Sequence, residues 1–89
     1  MAEPFPFSMS RHARIRMRQR GVTLEQIRQA LQWPDRTEAD GDDPDLTHAL
    51  KRVRRGRGSA VLRVVYNHVV SPWRVVTVFF DRRAGRQRP

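Results

Sequence analysis

Three side chains able to handle a phosphate, His12, Arg16 and Arg20, recur at intervals of four in the first quarter of the chain. On a helix of about 100° per residue counted from Met9, they fall at about 300°, 340° and 20°, a single row down one flank. Met9, Ala13 and Met17 form a narrow apolar stripe beside that row, while Arg11, Arg14 and Arg18 cluster on the far, watery side. A cationic row at the border of a buried stripe is an unusual choice, because desolvating an unpaired guanidinium is costly. Two readings are open. Either the arginines snorkel or pair with carboxylates elsewhere in the chain, or they meet an anion together with the imidazole, since residues four apart on a helix are neighbours. Histidine titrates near neutrality and passes protons in both directions. Arginine supplies fixed charge and paired planar donors. The second reading is therefore a phosphate site with an acid or base at one end.

The second half of the chain offers further candidates. In an extended run over 46–54, His48 and Arg52 share one face and Lys51 takes the other. Arg63 and Arg74 stand in valine-rich runs. Thr77 alternates with Val75 and Phe79, and its hydroxyl bonds either a phosphate or a neighbouring strand. His48, Arg52, Arg63, Arg74 and Thr77 are the expected extension of a nucleic-acid groove. Tyr66 alternates with Leu62 and Val64 and reads as core, and His68 reads as a surface histidine beside a turn.

Charge supports an anionic partner. The 89 residues carry a formal net charge of +9, with 17 arginines against a single lysine, Lys51. Six of the nine acids (Asp35, Glu38, Asp40, Asp42, Asp43 and Asp45) fall in the window 35–45, which with Arg36 carries −5 and leaves +14 on the rest. Such segregation draws polyanions, and arginine favours bidentate phosphate contacts, although codon usage alone would give the same composition. The acidic window could fold across a basic groove and compete with phosphates. As a metal loop it fails, because it lacks the alternating ligand spacing and distal glutamate of a calcium-binding loop. No metal and no cofactor are expected. The absence of cysteine excludes disulfides and thiolate zinc sites and fits a reducing, cytoplasmic compartment. No apolar run approaches the roughly 20 residues of a membrane span, and residues 1–8 lack the pattern of a secretory leader.

These candidates need elements to hold them. The length fits one domain, read as an arm over 1–7, a core over 8–81 and a basic tail over 82–89. Ser8 or Ser10 caps a first helix that runs to about Arg20 and stops at Gly21. Thr23-Leu24-Glu25-Gln26 is a capping-box pattern, opening a second helix with Leu24, Ile27 and Leu31 on its apolar side and Pro34 at its end. A short strand near Asp35 to Glu38 and three β-rich runs over 46–54, 60–70 and 73–81 follow, with turns short enough for antiparallel hairpins. Gly56-Arg57-Gly58 reads as a hairpin tip. The fold class expected is α+β, with two N-terminal helices packed on a three- to four-stranded antiparallel sheet.

Ser10-Arg11-His12-Ala13, Arg16-Met17 and Arg20-Gly21-Val22, followed by the capped segment and Trp33-Pro34-Asp35, resemble the opening of the domain-of-unknown-function 4258 (DUF4258) family. Val75-Val76-Thr77-Val78-Phe79 is similar to the family's closing strand, so the resemblance spans about 8–81, with its specific motifs in the first thirty residues. That family looks related to the barnase- and RelE-like fold of metal-independent bacterial toxin ribonucleases. The resemblance implies nucleic acid bound on the open face of a twisted antiparallel sheet.

Metal-independent RNA cleavage needs a base for the 2′-hydroxyl, cations for the phosphorane and an acid for the leaving 5′-oxygen. By resemblance, His12, Arg16 and Arg20 are the catalytic candidates. The function expected is an endoribonuclease toxin acting on RNA, free or ribosome-bound, and neutralised by an acidic antitoxin or immunity protein. The alternative is a module that binds RNA, ribosome or DNA without cutting, and a third reading is a helper domain whose basic face recognises an acidic protein.

Overall fold

The computed structural model of the protein describes residues 5–86. Local signals place the helices. Ser10 precedes α1 (Arg11–Arg20), and its hydroxyl oxygen accepts the Ala13 N–H at 3.0 Å. Gly21 ends the helix at φ 67°, with the Gly21 N–H on the Arg18 carbonyl and the Val22 N–H on that of Met17, the Schellman closure that glycine alone adopts without strain. Thr23 and Gln26 complete the capping box reciprocally, each side chain accepting the other's N–H at 3.0 Å, and α2 (Leu24–Gln32) follows. Ile27, Ala30 and Leu31 are its buried stripe, whereas Leu24, expected on that stripe, is 57% exposed in the first turn.

The strands are β1 (Phe7–Met9), β2 (Arg36–Ala39), β3 (Leu46–Arg55), β4 (Gly58–Asn67) and β5 (Trp73–Phe80), and a short α3 (Arg82–Arg86) closes the order. They form one sheet in the order β1-β5-β4-β3-β2. Every pairing is antiparallel except that of β1 with β5. The expected α+β architecture is present, with five strands because the chain entering α1 pairs as well. The β3–β4 turn is a two-residue loop between the Arg55–Gly58 pair, and Gly56 sits at φ 59°, the conformation its first central position requires. The Ser71–Pro72 peptide between β4 and β5 is cis.

Two expectations about the ends change. Phe7 was placed in an arm, but it pairs with Trp73, and Phe5 packs edge-on against the Trp73 ring at 5.7 Å. Residues 82–86, placed in a tail, form α3 against β4. Residues 1–4 of the expected arm and 87–89 of the expected tail lie outside the described residues.

Alternation sorts the strand residues into two faces. Ala49, Val53, Leu62, Val64, Tyr66, Val75 and Val78 face the helices and join Ala13, Ile27, Ala30 and Leu31 in the core. The opposite face buries a smaller patch of Leu50, Val61 and Val65. A β-bulge interrupts the β4–β5 register beside Val76, whose carbonyl accepts the Ser10 hydroxyl at 3.3 Å, so the residue that starts α1 also fastens it to β5. Leu62, wholly buried mid-strand, tests this packing. Leu62→Ala should lower the urea midpoint by the equivalent of about 2–5 kcal/mol with little change in slope, and a loss below about 1 kcal/mol would mean that the helices do not seal that face.

Candidate nucleic-acid interface

Of the α1 row, Arg20 lines a cavity at the end of the sheet, whereas His12 and Arg16 line neither of the two cavities there. His12 is exposed, Arg16 is half-buried with its guanidinium donating to Gln19 Oε1 at 3.1 Å, and Arg20 is exposed in the last turn. Eight residues of helical rise set the backbone of Arg20 about 12 Å along the helix axis from that of His12. None of the three forms an ion pair among the described residues, so the pairing with the acidic segment is not seen either. Arg20, at the helix end where a cation suits the macrodipole, reaches the end of the sheet.

There it meets other arginines. One cavity of about 210 Å³ is lined by Arg20, Arg55, Phe79, Phe80 and Arg82. A second, also about 210 Å³, shares Arg55, Phe80 and Arg82 and adds Arg52, Ser59 and Asp81. Both exist because the β3–β4 hairpin runs past the end of β5: the Asp81 N–H closes the last rung on the Val61 carbonyl at 2.8 Å, and the chain then leaves the sheet. The Arg55 guanidinium lies over the Phe80 ring at 4.0 Å, a cation–π contact that holds it flat. Arg52 donates to the Ser59 hydroxyl at 3.2 Å. Arg20, Arg52, Arg55 and Arg82 are all exposed, and among the described residues none has a carboxylate within ion-pair distance. Such a cluster concentrates positive potential and recruits anions.

The other expected binding residues lie elsewhere. His48 and Arg63 share the face away from the helices, but that face is not open at its centre. Arg63, with 15% of its side chain accessible, donates Nε and Nη2 to Asp81 Oδ2 at 2.8 and 2.7 Å. Its Nη1 donates to Glu38 Oε2 at 3.0 Å and to His48 Nδ1 at 2.9 Å. An imidazole that accepts at Nδ1 carries its proton on Nε2, and that N–H meets Asp40 Oδ1 at 2.6 Å. Both ring nitrogens are thus engaged, and His48 and Arg63 serve as ties between strands. Arg74 is exposed at the opposite end of β5 from the cavities, beside β1. Thr77 is half-buried opposite Val65 and lines neither cavity.

Structure also relocates the acidic window. Its loop over 40–45 enters β3 at Leu46, about 30 Å of strand away from Arg55, so it does not fold across the arginine cavities. Asp35 holds Lys51 and the Arg52 N–H, and Glu38 holds Arg36 and Arg63. Asp40 is pushed down to about 2, first by the His48 hydrogen bond and then by the N–H groups of Asp43 and Asp42. Among the described residues no group of three histidines or acids is placed to hold a metal ion, and no helix is long and apolar enough to cross a membrane.

Of the site expected from sequence, Arg20 and Arg52 are at the cavities; Arg55, Arg82, Phe79, Phe80 and Ser59 were not singled out. The signal for Arg55 was its place at a hairpin tip, and for Arg82 its place directly after the last strand. The family model for DUF4258, a domain of unknown function, matches residues 9–80, from the strand entering α1 to the aromatic residue under Arg55. The chain belongs to the DUF4258 family. No curated protein and no solved structure matches it. In this DUF4258 domain the matched segment therefore includes Arg20, Arg52 and Arg55 and stops short of Arg82.

The Asp40–His48 contact carries a pH signature. A carboxyl held below its unfolded value of about 4 stabilises the fold above that value and loses the contribution as pH falls through about 2. Asp40→Ala should therefore melt lower than the parent near neutrality, and the two melting curves should approach each other as the pH is taken down through that window. Parallel curves would show that the contact does not contribute.

Proposed function

We propose that the protein binds single-stranded RNA at the arginine-lined end of its sheet. Arg20, Arg52, Arg55 and Arg82 take successive phosphates, and Phe79, half-buried at the rim of one cavity, offers stacking surface to a base. The observation that carries this reading is the set of four exposed guanidinium groups around two adjoining cavities, none of them matched by a carboxylate among the described residues. Exposed arginines cost little to fold and keep their donors for a ligand. An aromatic ring beside them favours splayed bases over a closed duplex, and stacking is tolerant of sequence.

A second reading adds cleavage. His12 is exposed on the flank of α1 that ends in Arg20, and no hydrogen-bond partner holds its imidazole among the described residues. A strand leaving the cavity along α1 passes Arg16 and reaches His12. There the imidazole takes the 2′-hydroxyl proton as that oxygen attacks phosphorus, or delivers one to the departing 5′-oxygen, with water serving the other transfer and Arg16 and Arg20 on the phosphate charge. On this reading the protein is a metal-independent endoribonuclease of the barnase- and RelE-like type. It is then a cytoplasmic toxin, and an acidic antitoxin or immunity protein would cover the same arginines.

Anisotropy of a labelled single-stranded RNA tests the first reading. Four phosphate contacts give a slope of about −2.8 in log affinity against log salt, and Arg20→Ala or Arg55→Ala should each reduce it by about 0.7. Unchanged affinity in Arg55→Ala would remove the proposed site. For the second reading, products should carry 2′,3′-cyclic phosphate ends in the presence of EDTA. His12→Ala should stop cutting while leaving affinity within about two-fold, because the anchoring phosphate contacts are those of the arginines around the cavities. RNA bound but intact with the parent protein leaves the binding module alone standing.

A further inference from the structure

Asp81 is the one carboxylate among the described residues that borders the arginine cavities. In a phosphate site a carboxylate is expected to repel the ligand, yet both oxygens of this one are already committed. Oδ2 accepts Nε and Nη2 of Arg63, and Oδ1 accepts the Ala84 N–H at 2.9 Å. Only 13% of the side chain is accessible. Its carboxyl is held below the ordinary carboxylate range, first by the Ala84 N–H and then by Arg63, against the opposing effect of burial. The backbone is held too, by the rung from the Asp81 N–H to the Val61 carbonyl. Asp81 is thus pinned to β4 through main chain and side chain while its other oxygen caps the first turn of α3. The next residue, Arg82, borders both cavities.

We infer that Asp81 is a positioning residue for the interface, its cap on Ala84 aiming Arg82 between the two cavities. The inference rests on the RNA-binding reading above. Arg63 neutralises the Asp81 charge, so the carboxylate contributes direction without repulsion. A charge-only account gives the opposite sign, since removing a negative group from a basic cavity should strengthen binding to a polyanion.

Four variants separate the accounts, with a labelled oligouridylate of about 12 nucleotides as probe. Asp81→Ala removes both charge and cap, whereas Asp81→Asn removes the charge and keeps a capping oxygen. Losing one phosphate contact is worth about five-fold in affinity at about 0.1 M salt and about 0.7 in salt slope. Asp81→Ala and Arg82→Ala should each show that loss, the double variant Asp81→Ala/Arg82→Ala should show no more than either, and Asp81→Asn should stay within about two-fold of the parent. The Ala84 amide should exchange slowly in the parent and in Asp81→Asn and rapidly in Asp81→Ala.

Tighter binding by Asp81→Ala or Asp81→Asn overturns the inference in favour of charge alone, and losses that multiply in the double variant overturn it in favour of separate actions. If Asp81→Ala does not melt cooperatively, a five-fold loss in Asp81→Asn is sufficient to reject it. A parent protein that binds no RNA overturns the underlying reading, and the exchange of the Ala84 amide then still reports whether the cap exists.

Discussion

Arg63 brings a permanent charge to a half-sheltered position in the middle of the sheet, and a guanidinium withdrawn from water has to be matched. The match comes from three directions. Asp81 stands at the exit from β5, Glu38 on the edge strand β2, and His48 on β3 with Asp40 behind it. One side chain therefore ties the edge strand, the entry to the acidic loop and the start of α3 to the central strand β4. These contacts are geometrically specific, so their structural value lies in register and direction. Exposed ion pairs of the Arg36–Glu38 kind add only about 0–1 kcal/mol each.

The same matching explains how a chain with a formal net charge of +9 keeps an uncompensated basic end. Asp35, Glu38 and Asp40 are spent on Lys51, Arg36, Arg63 and His48 around β2 and β3. Asp43 turns inward on its own loop, accepting the Asp45 N–H at 2.9 Å. The two cavities lie at the hairpin end of β3, one strand length from that loop, and the acid that borders them is already held by Arg63. The polarity of the molecule thus follows from strand length and from which arginine is half-sheltered in the sheet. Arg20, Arg52, Arg55 and Arg82 stay exposed when the chain folds, so they impose little desolvation cost, and among the described residues no carboxylate claims their donors.

What could be read from sequence was what neighbours in sequence decide. Ser10, Gly21, Thr23 with Gln26, and the Gly56 turn act over two to five residues, and all occur where their residue types require. The stripe of Ala13 and Met17 and the alternation of Leu62, Val64 and Tyr66 identified the core face for the same reason. β1 escaped because three residues have no period to detect and their parallel partner lies more than sixty residues away. α3 escaped because it has no apolar stripe, and its cap is a residue that also reads as the end of a strand. Arg55 and Phe80 belong to different strands, and only the β3–β4–β5 register, itself shifted by a bulge, stacks them.

The row of His12, Arg16 and Arg20 shows what periodicity alone leaves open. Residues four apart on a helix are neighbours, but three in succession span about two turns, and a row is not a focus. A strand laid along α1 can use both ends of that row without drawing its side chains together. On the proposed reading, binding would be concentrated at the sheet end, where elements from four parts of the chain meet, and a proton donor or acceptor at His12 would act on a phosphate further along the strand. Anchoring at one end and reaction at the other would make cleavage depend on how the RNA leaves the cavity. Since Arg82 stands between the two cavities and Arg20 borders one of them, the direction of that exit is decided by the same junction that Asp81 holds.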